Sequence, residues 1–201
     1  SYLREAEYDG RLISPELCAK DLKRLPSQGH KGTFGRLMMF TGARGMSGAA
    51  TFCARGALLS GAGTVTVVSH KDNYAIIGTL VPEALQIPQE SFSGSLTSVS
   101  LEPLLSNSDR YHAVLFGPGL GRTDDVEQLA VRLLTEYRGP LVLDADGIYA
   151  VRNHKEMLKH YPGPLVLTPH DGEFAFLCDY LNQEGRAEAA VHLARDLNAV
   201  I

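Results

Sequence analysis

Short apolar runs alternate along this chain with segments of helical spacing, and this alternation limits the possible folds more than any other feature. The runs are continuous rather than alternating in polarity, as buried strands are; they cover residues 37–41, 64–69, 113–116, 141–143 and 165–167. Such strands, separated by helices, are typical of a parallel sheet that helices cover on both faces. The sequence therefore predicts an α/β fold of three layers around a mostly parallel central sheet.

Between the strands, apolar residues recur every three or four positions, which is the spacing of one helix face. The clearest set is Val126, Leu129, Ala130, Leu133, Leu134 and Tyr137. Further helices are predicted over residues 48–60, 73–80 and 173–181, and in a last segment that ends near Asn198. The serine-rich residues 91–100 are predicted to form a surface loop or an edge segment.

Length and composition suit one globular domain, which we place at 1–201, with 1–35 as a helical lead-in. The net charge of −4 gives no broad basic surface for nucleic acid or an anionic membrane. Cys18, Cys53 and Cys178 are odd in number and far apart, so we expect core packing in a reducing compartment and no structural zinc. The cytoplasm is the expected location.

The C-terminal residues 199–201 resemble the first residues of another buried strand. A parallel array that stops in mid-strand leaves an exposed edge, which natural sheets avoid. We therefore expect the chain to be one part of a larger product. The alternative is that these residues cover the end of a neighbouring helix.

Two glycine-rich segments, residues 41–50 and 117–122, each follow a predicted strand. Ligands of open parallel sheets bind outside the carboxyl ends of the strands, and glycines there let backbone amides approach an anion. The second segment suits phosphate or a ring amide, and Thr123, Asp124 and Asp125 after it are helix-capping candidates. The first segment is equally consistent with a simple tight turn.

Two further segments with polar side chains also follow strands. Asp144 and Asp146 end a buried strand, and in extended geometry both could face a metal or a phosphate-bearing ligand. The alternative is that Asp146 caps the next helix while Asp144 holds a loop amide. After the next strand, His170 stands beside Asp171 and Glu173, where an imidazole could bind substrate or transfer a proton.

Six ordered motifs together carry a family resemblance. They are HKGTFGR at 30–36, GMSGAA at 45–50, AGTVTV at 62–67, GPGLG at 117–121, LDADG at 143–147 and LTPHDGEF at 167–174. This set resembles the ADP/ATP-dependent NAD(P)H-hydrate dehydratases, which are ribokinase-like and related to carbohydrate kinases. The resemblance implies a ribokinase-like fold, a homo-oligomer, and dehydration of hydrated NADH or NADPH coupled to hydrolysis of ADP or ATP with Mg²⁺.

Residue by residue, the resemblance implies that four positions line the pocket for the hydrated nucleotide: Ala49, Gly119, Gly121 and His170. It implies supporting polar groups nearby at Asp144, Asp146 and Glu173. Gly147 and Asp171 stand where the family usually has alanine and proline. The family's catalytic aspartate and most of its nucleotide site would fall beyond Ile201, so we expect this chain to hold mainly the substrate half, and we assign no catalytic residue or metal ligand.

Two other functions remain open. A ribokinase-like kinase of a vitamin precursor or carbohydrate would share the fold and the phosphoryl donor, although the segment at 167–174 favours the dehydratase. A non-catalytic nucleotide-binding fragment would need a partner strand to cover its sheet edge.

Overall fold

One parallel sheet of six strands organises the computed structural model, which describes residues 14–21, 29, 33–178 and 185–201. The strands are β1 Arg36–Phe40, β2 Thr64–His70, β3 Leu85–Gln89, β4 Ala113–Phe116, β5 Leu141–Leu143 and β6 Leu165–Leu167. Their order across the sheet is β3-β2-β1-β4-β5-β6, and each neighbouring pair is parallel. The predicted α/β fold with a parallel central sheet is confirmed.

Most of the described helices lie between strands in sequence, with one before β1 and two after β6. The helices are α1 Pro15–Asp21, α2 Ser47–Leu59, α3 Tyr74–Leu80, α4 Glu102–Leu105, α5 Asp124–Glu136, α6 Asp146–Ala150, α7 Lys155–Lys159, α8 Asp171–Leu177 and α9 Arg186–Leu197. The apolar face predicted for α5 is confirmed, since it is buried from Val126 to Leu134. The predicted end of the 173–181 helix is wrong, because the backbone is already extended at Cys178; residues 179–184 lie outside the described part.

Side chains of β1 point alternately into two hydrophobic cores, one on each face of the sheet. Met38 and Phe40 belong to the larger core, which also contains the buried face of α5. Met39 belongs to the smaller core with Ala50 and Ala54 of α2. Burying a side chain of this size contributes roughly 1.5–3 kcal/mol, so the two cores fix the helices on both faces of the sheet.

The edge strand β3 has no counterpart in the strands predicted from the sequence. Its side chains are half-buried or exposed and it contains Pro88, which a strand tolerates at a sheet edge. It therefore lacks the continuous apolar run that marks the central strands. The segment that follows is a loop over 91–97, as predicted, but Ser98–Leu101 form a short 3-10 helix. The loop is not wholly at the surface, because residues 94–96 are buried.

The C-terminal residues begin to pair beside β6, as expected for a strand. Val200 forms a parallel bridge with Val166. The Leu167 amide donates to the Val200 carbonyl over 2.8 Å, and the Val200 amide donates to the Leu165 carbonyl over 2.9 Å.

Two sequence predictions concern the N-terminal part of the chain. The division into one domain with a lead-in at 1–35 stays a prediction; α1 lies within that lead-in. Residues 30–32 of the HKGTFGR motif lie outside the described part. Within the described ranges, no helix is both long and apolar enough to span a bilayer.

Candidate functional site

The four segments singled out in the sequence follow β1, β4, β5 and β6, which are adjacent in the sheet. Parallel strands place their carboxyl ends at one edge, so all four turns lie along that edge. Backbone hydrogen bonds join the first two turns: the Gly42 amide donates to the Pro118 carbonyl over 3.1 Å, and the Ala43 amide donates to the Gly119 carbonyl over 2.6 Å. We call these two turns, residues 41–50 and 117–122, the glycine cradle.

Ala49 and Gly119 lie against each other in the glycine cradle. A Cβ atom on Gly119 would be 2.8 Å from the Ala49 Cβ and 3.1 Å from the Met46 Cβ. Gly117, Gly119 and Gly121 have φ of 136°, 66° and 82°, a region that side chains rarely adopt. The turn therefore requires glycine both for its backbone shape and for its closeness to the start of α2.

The two aspartates after β5 bind different neighbours. Asp146 accepts from the Gly121 amide over 2.8 Å and from Arg122 Nε over 3.3 Å. Asp144 accepts from the Thr168 hydroxyl over 2.8 Å. The sequence alternative, in which Asp146 caps the next helix and Asp144 holds a loop amide, is therefore wrong. Asp146 itself holds the loop amide, and its side chain does not cap α6.

The backbone between the aspartates explains why they diverge. Ala145 has φ of 50° and ψ of −121°, which is costly for a residue with a side chain, on the order of 1–3 kcal/mol. The extended geometry assumed from the sequence is therefore absent, and the two carboxylates bind different protein groups. No cluster of three His, Cys, Asp or Glu side chains suited to a metal occurs within the described ranges.

Gly147 lies at the start of α6. A Cβ there would be 2.5 Å from the Phe116 carbonyl oxygen and 2.9 Å from the Gly117 Cα. The two glycines thus allow the β5–α6 turn to pack directly on the end of β4. This contact sets the position of Asp146 relative to the glycine cradle.

His170 caps the N-terminus of α8 in a box with Glu173. Its Nδ1 accepts from the Gly172 and Glu173 amides over 3.0 and 3.4 Å. In return, the His170 amide donates to Glu173 Oε2 over 3.1 Å. We call residues 168–174 the histidine turn.

The hydrogen bonds of the histidine turn determine where the imidazole carries its proton. Because Nδ1 accepts amide hydrogens, the neutral ring holds its proton on Nε2, which lies 3.2 Å from Glu173 Oε1. The imidazole is 70% exposed while the Glu173 side chain is 7% exposed. The exposed ring is therefore open to a polar ligand group, and the buried carboxylate beside it holds the ring in position.

The serine-rich loop, which the sequence predicted as a surface loop or an edge segment, forms one wall of the glycine cradle. We call residues 91–97 the serine loop. The Arg44 amide donates to the Gly94 carbonyl over 2.8 Å, and Ser93 donates to Asp125 over 2.7 Å. Ser95 Oγ lies 3.5 Å from the position of a Cβ on Gly121. Serine richness alone does not indicate these contacts, which depend on tertiary structure.

The pKa of Cys53 on α2 is affected by burial and by the charge of Asp144. Burial raises the pKa of the Cys53 thiol, and the negative charge of Asp144 raises this pKa further. The thiol therefore stays protonated at neutral pH and has packing as its role. Cys18, Cys53 and Cys178 are all free thiols, and Cys53 and Cys178 pack against the hydrophobic cores as predicted.

The fold and the row of turns at one sheet edge first define a class. A ribokinase-like superfamily protein from Enterococcus faecalis V583 superposes with a TM-score of 0.73 at 24% identity, over 88% of this chain and 59% of that chain. This chain thus has a ribokinase-like α/β fold. The sequence model of NAD(P)H-hydrate dehydratase matches residues 37–201, and the chain belongs to that family.

Two named relatives agree with this assignment. The bifunctional NAD(P)H-hydrate repair enzyme Nnr of Moorella thermoacetica is 35% identical over 198 residues, which are 96% of this chain and 37% of that protein. The ADP/ATP-dependent NAD(P)H-hydrate dehydratase of Bacillus subtilis, co-crystallised with ATP/Mg²⁺, has a TM-score of 0.72 at 26% identity, over 92% of this chain and 63% of that chain. The chain thus spans little more than a third of the Moorella relative.

Proposed function

We propose that this chain takes part in the repair of hydrated NADH and NADPH, by dehydration to NAD(P)H coupled to hydrolysis of ADP or ATP. In this reaction the chain supplies mainly the substrate-binding half. The observation that carries the proposal is the packing of Ala49 on Gly119, beside the bond from Gly121 to Asp146. In a member of the dehydratase family, Ala49, Gly119 and Gly121 are positions implied to line the pocket, and Asp146 is implied as a supporting polar group near it.

The glycine cradle would bind the substrate through its backbone. Glycines without side chains let the ligand approach the start of α2 and the 117–122 turn closely. Asp146 holds the Gly121 amide in place, so the turn is ordered before the ligand arrives. This preorganisation lowers the entropic cost of binding a large, flexible dinucleotide.

The histidine turn would hold the polar groups of the hydrated ring. His170 offers an exposed imidazole, and the buried Glu173 carboxylate beside it orients the ring. The bound ADP or ATP supplies the phosphoryl group that makes the ring hydroxyl a good leaving group. No described residue is assigned to the nucleotide or to Mg²⁺, and the role of this chain is to bind and orient the substrate.

Location and assembly are part of the same proposal. The free thiols of Cys53 and Cys178 suit a reducing compartment such as the cytoplasm. Phe52 and Leu59 on α2 are 77% and 87% exposed, which favours association of the protein with further copies of itself. Analytical ultracentrifugation tests this, and a strictly monomeric species would contradict the homo-oligomer.

A turnover assay tests the main proposal. The protein is mixed with hydrated NADPH, Mg²⁺ and either ADP or ATP, and the return of reduced-nicotinamide absorbance is followed. Recovery with one nucleotide supports the repair reaction and identifies the donor. Binding of hydrated NADPH by calorimetry without recovery supports the substrate-binding half alone, whereas neither binding nor recovery contradicts the proposal.

A ribokinase-like kinase of a vitamin precursor or carbohydrate makes a different prediction. It would consume ATP with a small alcohol and would not bind hydrated NADPH. A panel of such alcohols with ATP consumption as the readout separates the two functions.

A further inference from the structure

Arg122 lies directly after the glycine cradle and is held by side chains of two helices. Its Nε lies 3.3 Å from Asp146 Oδ1 in α6. Its guanidinium carbon lies 4.6 Å from the ring centre of Tyr149 in α6 and 5.9 Å from that of Phe176 in α8. The two rings pack edge to face at 5.3 Å, so the guanidinium stands on a fixed aromatic platform.

The donors of this guanidinium that face no protein partner are its two Nη groups. Asp146 takes Nε, and within the described part of the chain we find no hydrogen bond from either Nη. The Arg122 side chain is 49% exposed. Paired N–H donors of a planar guanidinium match two oxygens of a phosphate, and a side chain that is already oriented loses little entropy on binding.

Two other arginines close to this edge each use one of their Nη groups within the protein. Arg44 binds Asp72 through Nε over 3.0 Å, with its Nη2 3.5 Å from His70. Arg186 binds Asp171 through Nη2 over 2.8 Å. Arg122 is therefore the cation best placed to offer unused donors to a ligand.

The carboxylates along this edge make unused cationic donors valuable for binding an anionic ligand. Asp144, Asp146, Asp171 and Glu173 all lie in turns or helix starts along it. A hydrated nicotinamide dinucleotide carries a negatively charged pyrophosphate, which these carboxylates would repel. Arg122 stands between Gly121 and α8, so it can contact the phosphates of a ligand that reaches from the glycine cradle to the histidine turn.

We propose that Arg122 binds a phosphate group of the hydrated dinucleotide through its Nη donors. The proposal rests on the proposed function, since it requires this substrate to occupy this edge. Asp146 and the Tyr149–Phe176 platform act as positioning groups that orient the guanidinium. Arg122 thereby becomes a substrate-binding residue beside Gly119 and Gly121.

Arg152 provides a matched control on the same aromatic ring. Its guanidinium carbon lies 4.0 Å from the Tyr149 ring centre. Unlike Arg122, it uses Nη1 internally, for the Tyr149 carbonyl at 2.8 Å and for Glu127 at 3.1 Å. Replacing Arg152 removes a cation and a ring contact of the same kind without removing unused donors beside the glycine cradle.

The experiment compares Arg122→Met, Arg122→Lys and Arg152→Met with the unmodified protein by calorimetry with hydrated NADPH. Loss of a charged, paired hydrogen bond is expected to raise the Kd about 10- to 100-fold in Arg122→Met. Arg122→Lys, which keeps the charge but loses the paired donors, should lie between. Arg152→Met should bind within about twofold of the unmodified protein, because its donors do not reach the ligand.

A phosphate-free probe separates contact from a purely structural effect. Hydrated reduced nicotinamide riboside lacks the pyrophosphate, so Arg122→Met should bind it as well as the unmodified protein does. An equal loss for both ligands, or a Kd for hydrated NADPH within twofold, overturns the proposal. If Arg122→Met does not fold, the same two ligands with Arg122→Lys decide the question. Failure of the unmodified protein to bind hydrated NADPH overturns the proposed function as well, which distinguishes the two failures.

Discussion

The glycine cradle and the histidine turn lie at the same sheet edge but are built by different means. The cradle is made of backbone: the amides of Gly42 and Ala43 bind the carbonyls of Pro118 and Gly119. The histidine turn depends on side chains, since its cap consists of the His170 ring and the Glu173 carboxylate. We therefore expect the glycine cradle to be sensitive to added side-chain atoms. The histidine turn should instead be sensitive to the loss of a charge or a hydrogen-bond donor.

The largest effect is expected at Gly117, in the cradle. In Gly117→Ala, the new Cβ would overlap the Asp144 carbonyl oxygen and lie 2.7 Å from the Gly147 amide nitrogen. The φ of 136° adds strain, because side chains rarely adopt it. We expect a loss of more than about 3 kcal/mol in the free energy of unfolding, measured by urea denaturation.

Gly56→Ala is the control for this prediction. Gly56 lies within α2, and a Cβ there meets no atom within 4 Å. Alanine in a helix interior is more stable than glycine by about 0.5–1 kcal/mol, so Gly56→Ala should raise stability. If both variants lost similar free energy of unfolding, the close backbone contacts of Gly117 would not be the cause of the loss.

The second prediction concerns the contact between Gly119 and Ala49. Gly119→Ala should lose about 2–3 kcal/mol in stability, because it combines a positive φ with a Cβ only 2.8 Å from the Ala49 Cβ. It should also weaken binding of hydrated NADPH, since α2 must move away from the turn. Thermal unfolding and calorimetry measure the two effects.

Gly45→Ala and a double variant isolate the contact from the backbone strain. Gly45 has φ of 80° but open space around its Cβ position, so its substitution should cost only about 1 kcal/mol. Ala49→Gly alone should cost about 0.5–1 kcal/mol, because glycine weakens a helix. The double variant with Gly119→Ala should lose less than the sum of the two single losses, because one of the two colliding atoms is gone. Additive losses would mean that φ strain alone explains the effect of Gly119→Ala.

The sequence predicted that the four turns lie together at the carboxyl ends of the strands, but it did not predict the contacts between their residues. Continuous apolar runs and the turns after them depend on local pattern, and the parallel rule then brings the turns to one edge. The contacts of Asp144 and Asp146 depend on the backbone of Ala145, whose positive φ has no sequence signal. The edge strand β3 was not predicted, because it is half-exposed and contains Pro88 and so lacks a continuous apolar run. The ligand-binding roles of the site residues stay predictions.

A smaller effect is expected in the histidine turn from Glu173→Gln. The substitution keeps the volume but removes the charge that binds the His170 amide and ring. We expect a loss of about 1–2 kcal/mol in stability and a severalfold rise in the Kd for hydrated NADPH. Urea denaturation and calorimetry provide the two readouts.

Asp171→Asn is the matched control, two residues before Glu173 in the same turn. Asp171 pairs with Arg186, but both side chains are more than two-thirds exposed, at 72% and 76%. Exposed ion pairs contribute little, so stability should change by less than about 0.5 kcal/mol. If Glu173→Gln is equally mild, the histidine turn does not depend on its buried carboxylate, and the contrast with the cradle disappears.

The smallest effect is expected from Thr41→Val at the entrance to the cradle. Thr41 is fully buried, and its hydroxyl has no hydrogen-bond partner among the described residues. Its amide still donates to the Val68 carbonyl over 3.1 Å, a bond that valine preserves. Since an unpartnered buried hydroxyl destabilises the fold, stability should stay the same or rise by up to about 1 kcal/mol in urea denaturation. Because the cradle binds through its backbone, the Kd for hydrated NADPH should stay within about twofold; a tenfold rise would show that a cradle side chain also contacts the ligand.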